Sequence, residues 1–309
     1  MFRVLLFIAV AVATVCQAGC AGTWDTLTSR RFRDQPFTTM QHMVAPEDPV
    51  LVLRANPPRD GDEIAAAMRR LKEPLNNNGT REDQDALIDL LALTAESDPS
   101  PVLRMEAIGA LGRFRDTRVP GILMGAYRSA HGRKGAELAP EVRDHGVAQA
   151  GLSAGRRPTS GIERFPITGP TGYPDEWVTS VRCCALDALS HTNSPEAAQF
   201  LAAVSGGTTK DIAVEGGEDR EVRLAAIRGL GKCRQPESVH ALAQVLQAEA
   251  GKADTAIVGR THEGLVRLTG KKLPPDPEKW NEVVQAGVVL APQPTWWDDA
   301  VENAVRWVK

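Results

Sequence analysis

Residues 222–231 read VRLAAIRGLG, and this stretch decides the fold. Four apolar residues, spaced i, i+4, i+5 and i+8 from Val222, lie on one stripe of an α-helix. Ala226 stands at the centre of the stripe, where a small side chain lets a neighbouring helix cross closely. Gly231 follows the last Leu, which predicts a helix C′ position with positive φ. The stretch therefore predicts a short helix packed between neighbours.

The same pattern recurs along the chain. Further copies start near Ile64, Leu103 and Val181, and the last two also carry an Arg after the first apolar residue, as the 222–231 copy does. The central small residues of the four copies are Ala67, Ala107, Ala185 and Ala226. The period is about 40 residues, and about twice that between Ala107 and Ala185. Another copy is therefore expected near residue 146, where 142–147 matches in part, and a degenerate last copy at 264–268.

Polar turns and second apolar segments follow the copies. Turns are predicted at 115–118 (RDTR) and 234–237 (RQPE), with Leu-Gly before each of them. Second helices are predicted at 86–91, 197–204 and 239–246, and Pro195 and Pro236 stand where a helix tolerates proline at its start. The chain is therefore expected to be all-α, an α-solenoid (α-α superhelix) of about five to six helical repeats.

The repeat unit resembles the HEAT family, including the HEAT-like repeats of phycobilin lyases. Residues 222–227 and 103–108, each followed by Leu-Gly, carry the resemblance, which covers residues 60–285. The arrangement is also similar to a group of bacterial HEAT-repeat lipoproteins at 48–54 (DPVLVLR), 71–74 (LKEP) and 268–271 (LTGK) with Trp280. What this resemblance implies is an architecture and no particular activity.

Residues 1–20 are predicted to be a signal peptide. Arg3 is followed by an apolar run at 4–15 that is too short to span a bilayer, which takes about 20 residues. Ala18, Gly19 and Cys20 resemble the lipobox of bacterial lipoproteins, which implies lipidation of Cys20. Ala21 after the lipidated Cys implies sorting to the outer membrane, facing the periplasm. Gln17 stands where that family usually has Leu, so cleavage after Ala18 or Ala21, giving a soluble secreted protein, stays the alternative.

The remaining boundaries follow composition. Residues 21–48 are expected to be a tether, 49–127 and 177–286 HEAT-like repeats, and 287–309 a C-terminal capping helix with an apolar face from Trp297 to Val308. The chain has 309 residues, 42% of them hydrophobic and only 5% aromatic, a balance typical of helix packing. Its net charge of −3 offers no basic excess, so no nucleic-acid partner is expected.

Residues 128–176 interrupt the array with many Gly and Pro residues, and a long loop of this kind is often functional. Phe165, Tyr173 and Trp177 make this insertion a candidate partner-binding loop. A tolerated insertion at one edge of the array is the other interpretation.

No catalytic site, metal site or cofactor is predicted. The Cys residues lack zinc spacing, and Cys183 and Cys184 are interpreted as small buried thiols rather than a strained vicinal disulfide. Iron-binding HEAT hydroxylases carry several His-Glu dyads, whereas this chain has one, His262-Glu263, and one dyad cannot build a two-metal site.

Arginines recur at the second position of four copies: Arg104, Arg143, Arg182 and Arg223. They are expected to form a structural ladder that pairs with Asp or Glu of adjacent repeats, with Asp98, Asp219 and Asp254 as candidate partners. Ligand binding is the alternative use.

Three functions fit these features. The leading one is a membrane-anchored, non-enzymatic scaffold that binds a protein partner in the cell envelope. A second is a lyase-like or chaperone-like activity that uses the 128–176 insertion. A third is a structural component of the envelope.

Overall fold

The computed structural model describes residues 33, 47–55, 59–130, 173–206, 219–252 and 254–293, and these contain eleven α-helices, one 3-10 helix at Pro74–Asn77 and no strand. The α-helices are α1 (Pro49–Leu53), α2 (Gly61–Arg70), α3 (Arg81–Ser97), α4 (Pro101–Leu111), α5 (Val119–Arg128), α6 (Asp175–Thr192), α7 (Pro195–Gly206), α8 (Arg220–Lys232), α9 (Pro236–Glu249), α10 (Thr255–Thr269) and α11 (Pro277–Gln285). Contacts divide the chain into two units, Met1–Val52 and Leu53–Lys309, and α2 to α11 belong to the second. No helix within these ranges is both long and apolar enough to cross a bilayer.

Helices α2 to α11 form two layers. In the first layer α2, α4, α6, α8 and α10 each pack against the next, and in the second layer α3, α5, α7, α9 and α11 do the same. Between the layers, α3 packs on α4, α5 on α6, α7 on α8 and α9 on α10. The predicted α-solenoid is therefore confirmed, and the described part of the array contains five helical pairs, from α2/α3 to α10/α11.

The starts of the helices are fixed by local polar residues. Thr80 and Asp83 form a reciprocal capping box at the start of α3, with both bonds at 3.1 Å. Asp254 accepts two backbone N–H bonds at the start of α10. Pro195 and Pro236 are the first residues of α7 and α9, as predicted.

The predicted apolar stripe is the core of the array. In α8, Val222, Ala226, Ile227 and Leu230 have no exposed surface. The equivalent Ala107, Ile108 and Leu111 of α4 are also fully buried. Burial of each large side chain contributes about 1.5–3 kcal/mol, so stacking of successive pairs holds the fold together.

Gly112 and Gly231 do not have the predicted conformation. Gly112 has φ −60°, and Gly231 lies inside α8, whose C-cap is Cys233. A Cβ atom on Gly112 would lie 2.8 Å from the Cβ of Ala188, and one on Gly231 would lie 3.0 Å from the Cα of Gly264. The prediction of positive φ was wrong because these glycines serve packing: each lets the first helix of the following pair approach closely.

Helices α4 and α6 pack directly against each other, although residues 131–172 separate them in the sequence. The thiol of Cys184 in α6 lies 3.5 Å from the carbonyl oxygen of Met105 in α4. Residues 142–147 lie outside the described ranges, but a helical pair stacked there would hold α4 and α6 apart. No helical pair therefore stands between α4 and α6, and the copy expected near residue 146 stays a prediction that lies outside the described residues.

Candidate functional site

Arg104 joins the ends of two second-layer helices. Its guanidinium is fully buried, and Nε donates to the carbonyl of Ala95 in α3 at 2.8 Å. Nη2 donates to the carbonyl and to the hydroxyl of Ser129, the C-cap of α5, at 2.9 and 2.8 Å. The last carbonyls of a helix have no partner within it, and they carry its negative dipole end. A cation at this position therefore satisfies and stabilises two helix ends at once.

Arg223 makes the same connection two pairs further along. Its Nε donates to the carbonyl of Ser205 near the end of α7 at 3.2 Å, and its Nη2 binds the carboxylate of Glu249 at the end of α9 at 2.8 Å. This ion pair, with Lys252 as a further partner of Glu249, holds the pKa of Glu249 below its ordinary value. The carboxylate thus comes from the helical pair of Arg223 itself and not from an adjacent repeat.

The remaining ladder residues differ. Arg182 is buried, and its guanidinium carbon lies 5.1 Å from the centre of the Tyr127 ring. Arg143 lies outside the described residues. Among the predicted acidic partners, Asp254 pairs with Arg220 at 2.7 Å, which lowers the pKa of Asp254 to about 2.

The other two candidate carboxylates have different tasks as well. Asp219 accepts hydrogen bonds from Thr179 and from the backbone N–H of Glu221. Asp98 accepts from the backbone N–H of Ser100, and its burial raises its pKa. Among the described ladder residues, Arg104 and Arg223 therefore act on helix ends, Arg223 also binds a carboxylate, and Arg182 lies beside an aromatic ring.

Tyr173, near the end of the predicted insertion, packs against the array. Its hydroxyl donates to the carbonyl of Asp98 at 2.6 Å, its ring lies 5.6 Å from the guanidinium carbon of Arg104, and only 6% of it is exposed. Trp177, in the first turn of α6, is 37% exposed, and Phe165 lies outside the described residues. Of the three predicted contact residues, Trp177 is therefore available on the surface, whereas burial gives Tyr173 a structural task.

The turns inside the helical pairs lie together at one edge of the array and form a groove, which we call the turn groove. It has a volume of about 890 Å³. Its lining consists of 114–117 in the α4–α5 turn, 190–196 around the α6–α7 turn, Gly231, Lys232 and Arg234 at the α8–α9 turn, Arg267 and Leu268 at the end of α10, and Pro120 and Gln293. Most of these side chains are exposed, so the groove is open to solvent. Its length covers four successive pairs.

The insertion is attached at the opposite edge. Connections between pairs leave the second-layer helices and enter the next first-layer helices, so residues 130 and 173 lie at the far end of the helices from the turn groove. The contact of Tyr173 with the α3–α4 connection at Asp98 agrees with this. The turn groove is thus formed mainly by the turns of the helical pairs, with Gln293 from the segment after α11.

Hydrogen bonds between turns brace the groove. Asn193, which has φ 53°, accepts a 2.6 Å bond from the backbone N–H of Arg234, and its own carbonyl accepts from Gln235 at 2.6 Å. The Arg234 guanidinium donates to the carbonyl of Ala291. Further along, the backbone N–H of Arg115 donates to the buried carboxylate of Glu73 at 3.1 Å. Because these bonds join different helical pairs, the lining is held in place before any ligand arrives.

Charges in the groove are unevenly paired. Lys232 binds Asp187 at 2.5 Å, and His191 and Lys232 together hold the pKa of Asp187 well below its usual range. Asp116 is held by the Arg118 guanidinium at 2.9 Å, and this contact likewise depresses its pKa. These lining residues are therefore largely neutralised by partners.

The three cysteines of the described ranges and His262 take part in packing. Cys183, Cys184 and Cys233 are free thiols, with Cys233 buried and the two neighbours half-buried, and burial raises the pKa of Cys184 to about 12. His262 lies 2.6 Å from the carbonyl oxygen of Leu273 and edge-on to Trp280. Within the described ranges, no group of His, Cys, Asp or Glu side chains has the arrangement of a metal site.

Sequence reasoning identified the polar turns but not the groove that they form. The sequence predicts the turns at Arg115 and Arg234 as separate features. Their spacing in step with the repeat was the signal that could have indicated that they lie side by side. Arg267 belongs to the degenerate last copy, where no turn was predicted, so its place beside them emerges only from the stacking of the pairs.

Comparison with known proteins gives one local match. Residues 222–248, which form most of α8 and α9, match the PBS lyase HEAT-like repeat. No curated protein and no solved structure matches the chain. The match supports HEAT-like repeats at the α8/α9 pair, the same stretch whose pattern predicted the fold.

Proposed function

We propose that this chain is a lipid-anchored HEAT-type scaffold that binds a protein partner in the cell envelope and catalyses no reaction. HEAT-like repeats generally mediate interactions between proteins, because stacked helical pairs create long continuous surfaces. The observation that carries the proposal is the turn groove, which covers four successive pairs and is built from braced turns.

The anchor is the second part of the proposal. Ala18, Gly19 and Cys20 supply a lipobox-like ending, and a diacylated Cys20 would attach the array stably, as two chains do where one does not. Residues 21–48 would then be the tether between bilayer and array. Ala21 directly after Cys20 supports sorting of such a lipoprotein to the outer membrane, so the proposed position of the scaffold is on that membrane, facing the periplasm.

The proposal includes no catalysis and no cofactor because the reactive side chains discussed above, within the described ranges, have structural roles. The thiol of Cys184 has a pKa raised to about 12, and a thiolate is the form that acts as a nucleophile. The side chain of Glu263 in the His-Glu dyad pairs with Arg260 at 2.9 Å. A variant that lacks residues 128–176 tests the alternative of a lyase-like activity. If that variant still binds the partner but has lost the function of the protein, the insertion carries an activity of its own.

Site-specific photo-crosslinking tests the scaffold. A photoreactive amino acid placed at Thr117, an exposed residue of the turn groove, is expected to give a discrete adduct with one protein in native cells. The same group at Lys252, an exposed residue at the opposite edge, is the control and should give none. Absence of adducts at both positions, or the same adducts at both, would overturn the proposal.

Metabolic labelling tests the anchor. A fatty-acid analogue is expected to label the wild-type chain and not a Cys20→Ala variant. A Cys20→Ala protein that still labels would contradict lipidation at this residue, and an unlabelled wild type released to the medium would indicate the secreted alternative.

A further inference from the structure

The turn groove carries an excess of positive charge. Arg115 and Arg267 form no ion pair within the described ranges, and Arg234 donates to a carbonyl, which leaves its charge uncompensated. Two acidic residues belong to the described part of the lining, and one of them, Asp116, is bound by Arg118. The carboxylate of Glu196 therefore stands beside the three guanidinium groups of Arg115, Arg234 and Arg267, which gives the lining an excess of positive charge. The whole chain is net negative at −3, which makes this local excess distinctive.

We propose that the turn groove binds an extended, acidic segment of the partner protein. The proposal rests on the scaffold function above and names the chemistry of the partner at that site. Guanidinium groups are suited to it because their planar donors bind carboxylates in a bidentate manner.

The positions of the arginines set the length of the segment. Arg115, Arg234 and Arg267 belong to the second, fourth and fifth helical pairs, and neighbouring helices pack about 8–10 Å apart. The row from Arg115 to Arg267 is therefore about 24–30 Å long. An extended chain advances about 3.3 Å per residue, so a segment of about eight residues would follow it.

A peptide fits this groove better than a membrane surface. Binding to anionic lipid normally combines basic residues with apolar side chains that enter the bilayer. The large apolar lining residues Phe114 and Leu268 are buried at 2% and 1% exposure, and the exposed large apolar residues of the described ranges all lie outside the lining. The cations also line a groove that runs across several helical pairs, which matches an extended chain.

The bracing of the turns favours binding in a fixed register. Arg234 is held through its backbone by Asn193 and through its guanidinium by the Ala291 carbonyl, and the Arg115 backbone is held by Glu73. A lining that is already ordered loses little conformational entropy when a ligand binds. The ordering cost then falls on the peptide and on the exposed side chains of Arg115 and Arg267, and little of it falls on the backbone of the lining.

Fluorescence anisotropy with a rhodamine-labelled peptide of about nine residues, rich in Glu, tests the proposal on the full mature chain in detergent. Peptides of the same length with Gln or Lys in place of Glu are the comparison. The Glu peptide is expected to bind, and its affinity should fall about tenfold or more when salt is raised from about 0.05 to 0.3 M. The Gln and Lys peptides should bind at least tenfold more weakly.

A matched pair of variants locates the binding. An Arg115→Glu, Arg267→Glu double variant is expected to weaken the Glu peptide by about tenfold or more. An Arg228→Glu, Arg260→Glu double variant makes the same change of charge on exposed residues of α8 and α10 outside the groove and should bind like the wild type. Thermal unfolding of both variants checks that the fold is retained.

Three results would overturn the inference. The Glu and Gln peptides could bind equally well, or the Arg115→Glu, Arg267→Glu variant could bind the Glu peptide as well as the wild type does. In the third, the wild type binds phosphatidylglycerol vesicles but no peptide, and the same double variant no longer binds the vesicles. Crosslinking at Thr117 separates this failure from failure of the scaffold. An adduct at Thr117 without peptide binding would leave the scaffold standing and refute its acidic ligand.

Discussion

Arg104 and Arg223 have the same place in their helical pairs and join equivalent helix ends, those of α3 and α5 and those of α7 and α9. In each, Nε donates to a carbonyl near the end of the preceding second-layer helix, and Nη2 binds at the end of the second helix of its own pair. Arg104 is fully buried, and its acceptors are neutral. Arg223 is half-buried, and one of its acceptors is the carboxylate of Glu249. One residue type therefore performs one task in two electrostatic settings.

Replacement by Lys should separate these settings. An Arg104→Lys variant keeps the charge but cannot reach both helix ends, so a buried carbonyl loses its donor, and we expect a loss of about 2–4 kcal/mol in the free energy of unfolding. In Arg223→Lys the ammonium can still meet Glu249, which also retains Lys252 as a partner, so we expect a loss of about 1 kcal/mol or less. Urea denaturation of the two proteins measures this difference, and equal losses would contradict it.

Gly112→Ala should destabilise the array, whereas Gly109→Ala should not. The new Cβ at residue 112 would lie 2.8 Å from the Cβ and 2.9 Å from the Cα of Ala188, so α6 must shift, at a cost of about 1–3 kcal/mol. Gly109 lies inside α4, whose C-cap is Gly112, and has nothing within 4 Å of a new Cβ, so Ala should stabilise the helix by about 0.5–1 kcal/mol. Thermal unfolding gives both values, and a Gly112→Ala protein as stable as Gly109→Ala would show that Gly112 has no packing role.

The periodic part of the structure was predictable from sequence because its causes are local. An apolar residue such as Ile227 recurs in step with the helix period, and a proline such as Pro236 marks a helix start wherever it stands. These signals predicted the helices and their order along the chain.

Other features could not be predicted because they depend on residues far apart in the chain. The Leu-Gly motif fits a helix C′ position locally, but the task of Gly112 is set by Ala188. The sequence around Tyr173 has the composition of a surface loop. Its side chain is nevertheless buried, because it contacts Arg104 and the carbonyl of Asp98. The turn groove needs the turns of several pairs side by side.

Asp254 should contribute to acid sensitivity. Its pKa in the folded chain is about 2, below the ordinary 3.8, because Arg220 and two backbone N–H groups bind the carboxylate. A depressed pKa means that this stabilisation is complete above about pH 4 and is lost as pH falls toward 2. An Asp254→Asn variant keeps an N-cap oxygen and loses the ion pair, so it should be less stable than the wild type at pH 7 and equal to it near pH 2.

Urea denaturation across this pH range measures the difference for Asp254, and an Arg220→Gln variant should behave in the same way because it removes the same ion pair. Two stability curves that stay parallel from pH 7 to pH 2 would show that the Arg220 contact does not act on the titration of this carboxylate.

The thiol of Cys184 should react slowly with alkylating reagents in the folded protein. Burial raises its pKa to about 12, so that at pH 8 it has roughly a thousandfold less thiolate than a free Cys of pKa about 8.5. Iodoacetamide labelling followed by peptide mass spectrometry gives the rate at this residue in the folded chain and in urea, where the rate should rise by about two to three orders of magnitude. Burial also raises the pKa of Cys233, so this residue should likewise label slowly in the folded chain and serves as an internal comparison. Rapid labelling of Cys184 in the folded state would show that the contact of α6 with α4 opens readily, and would count against the close packing that the array requires across the insertion.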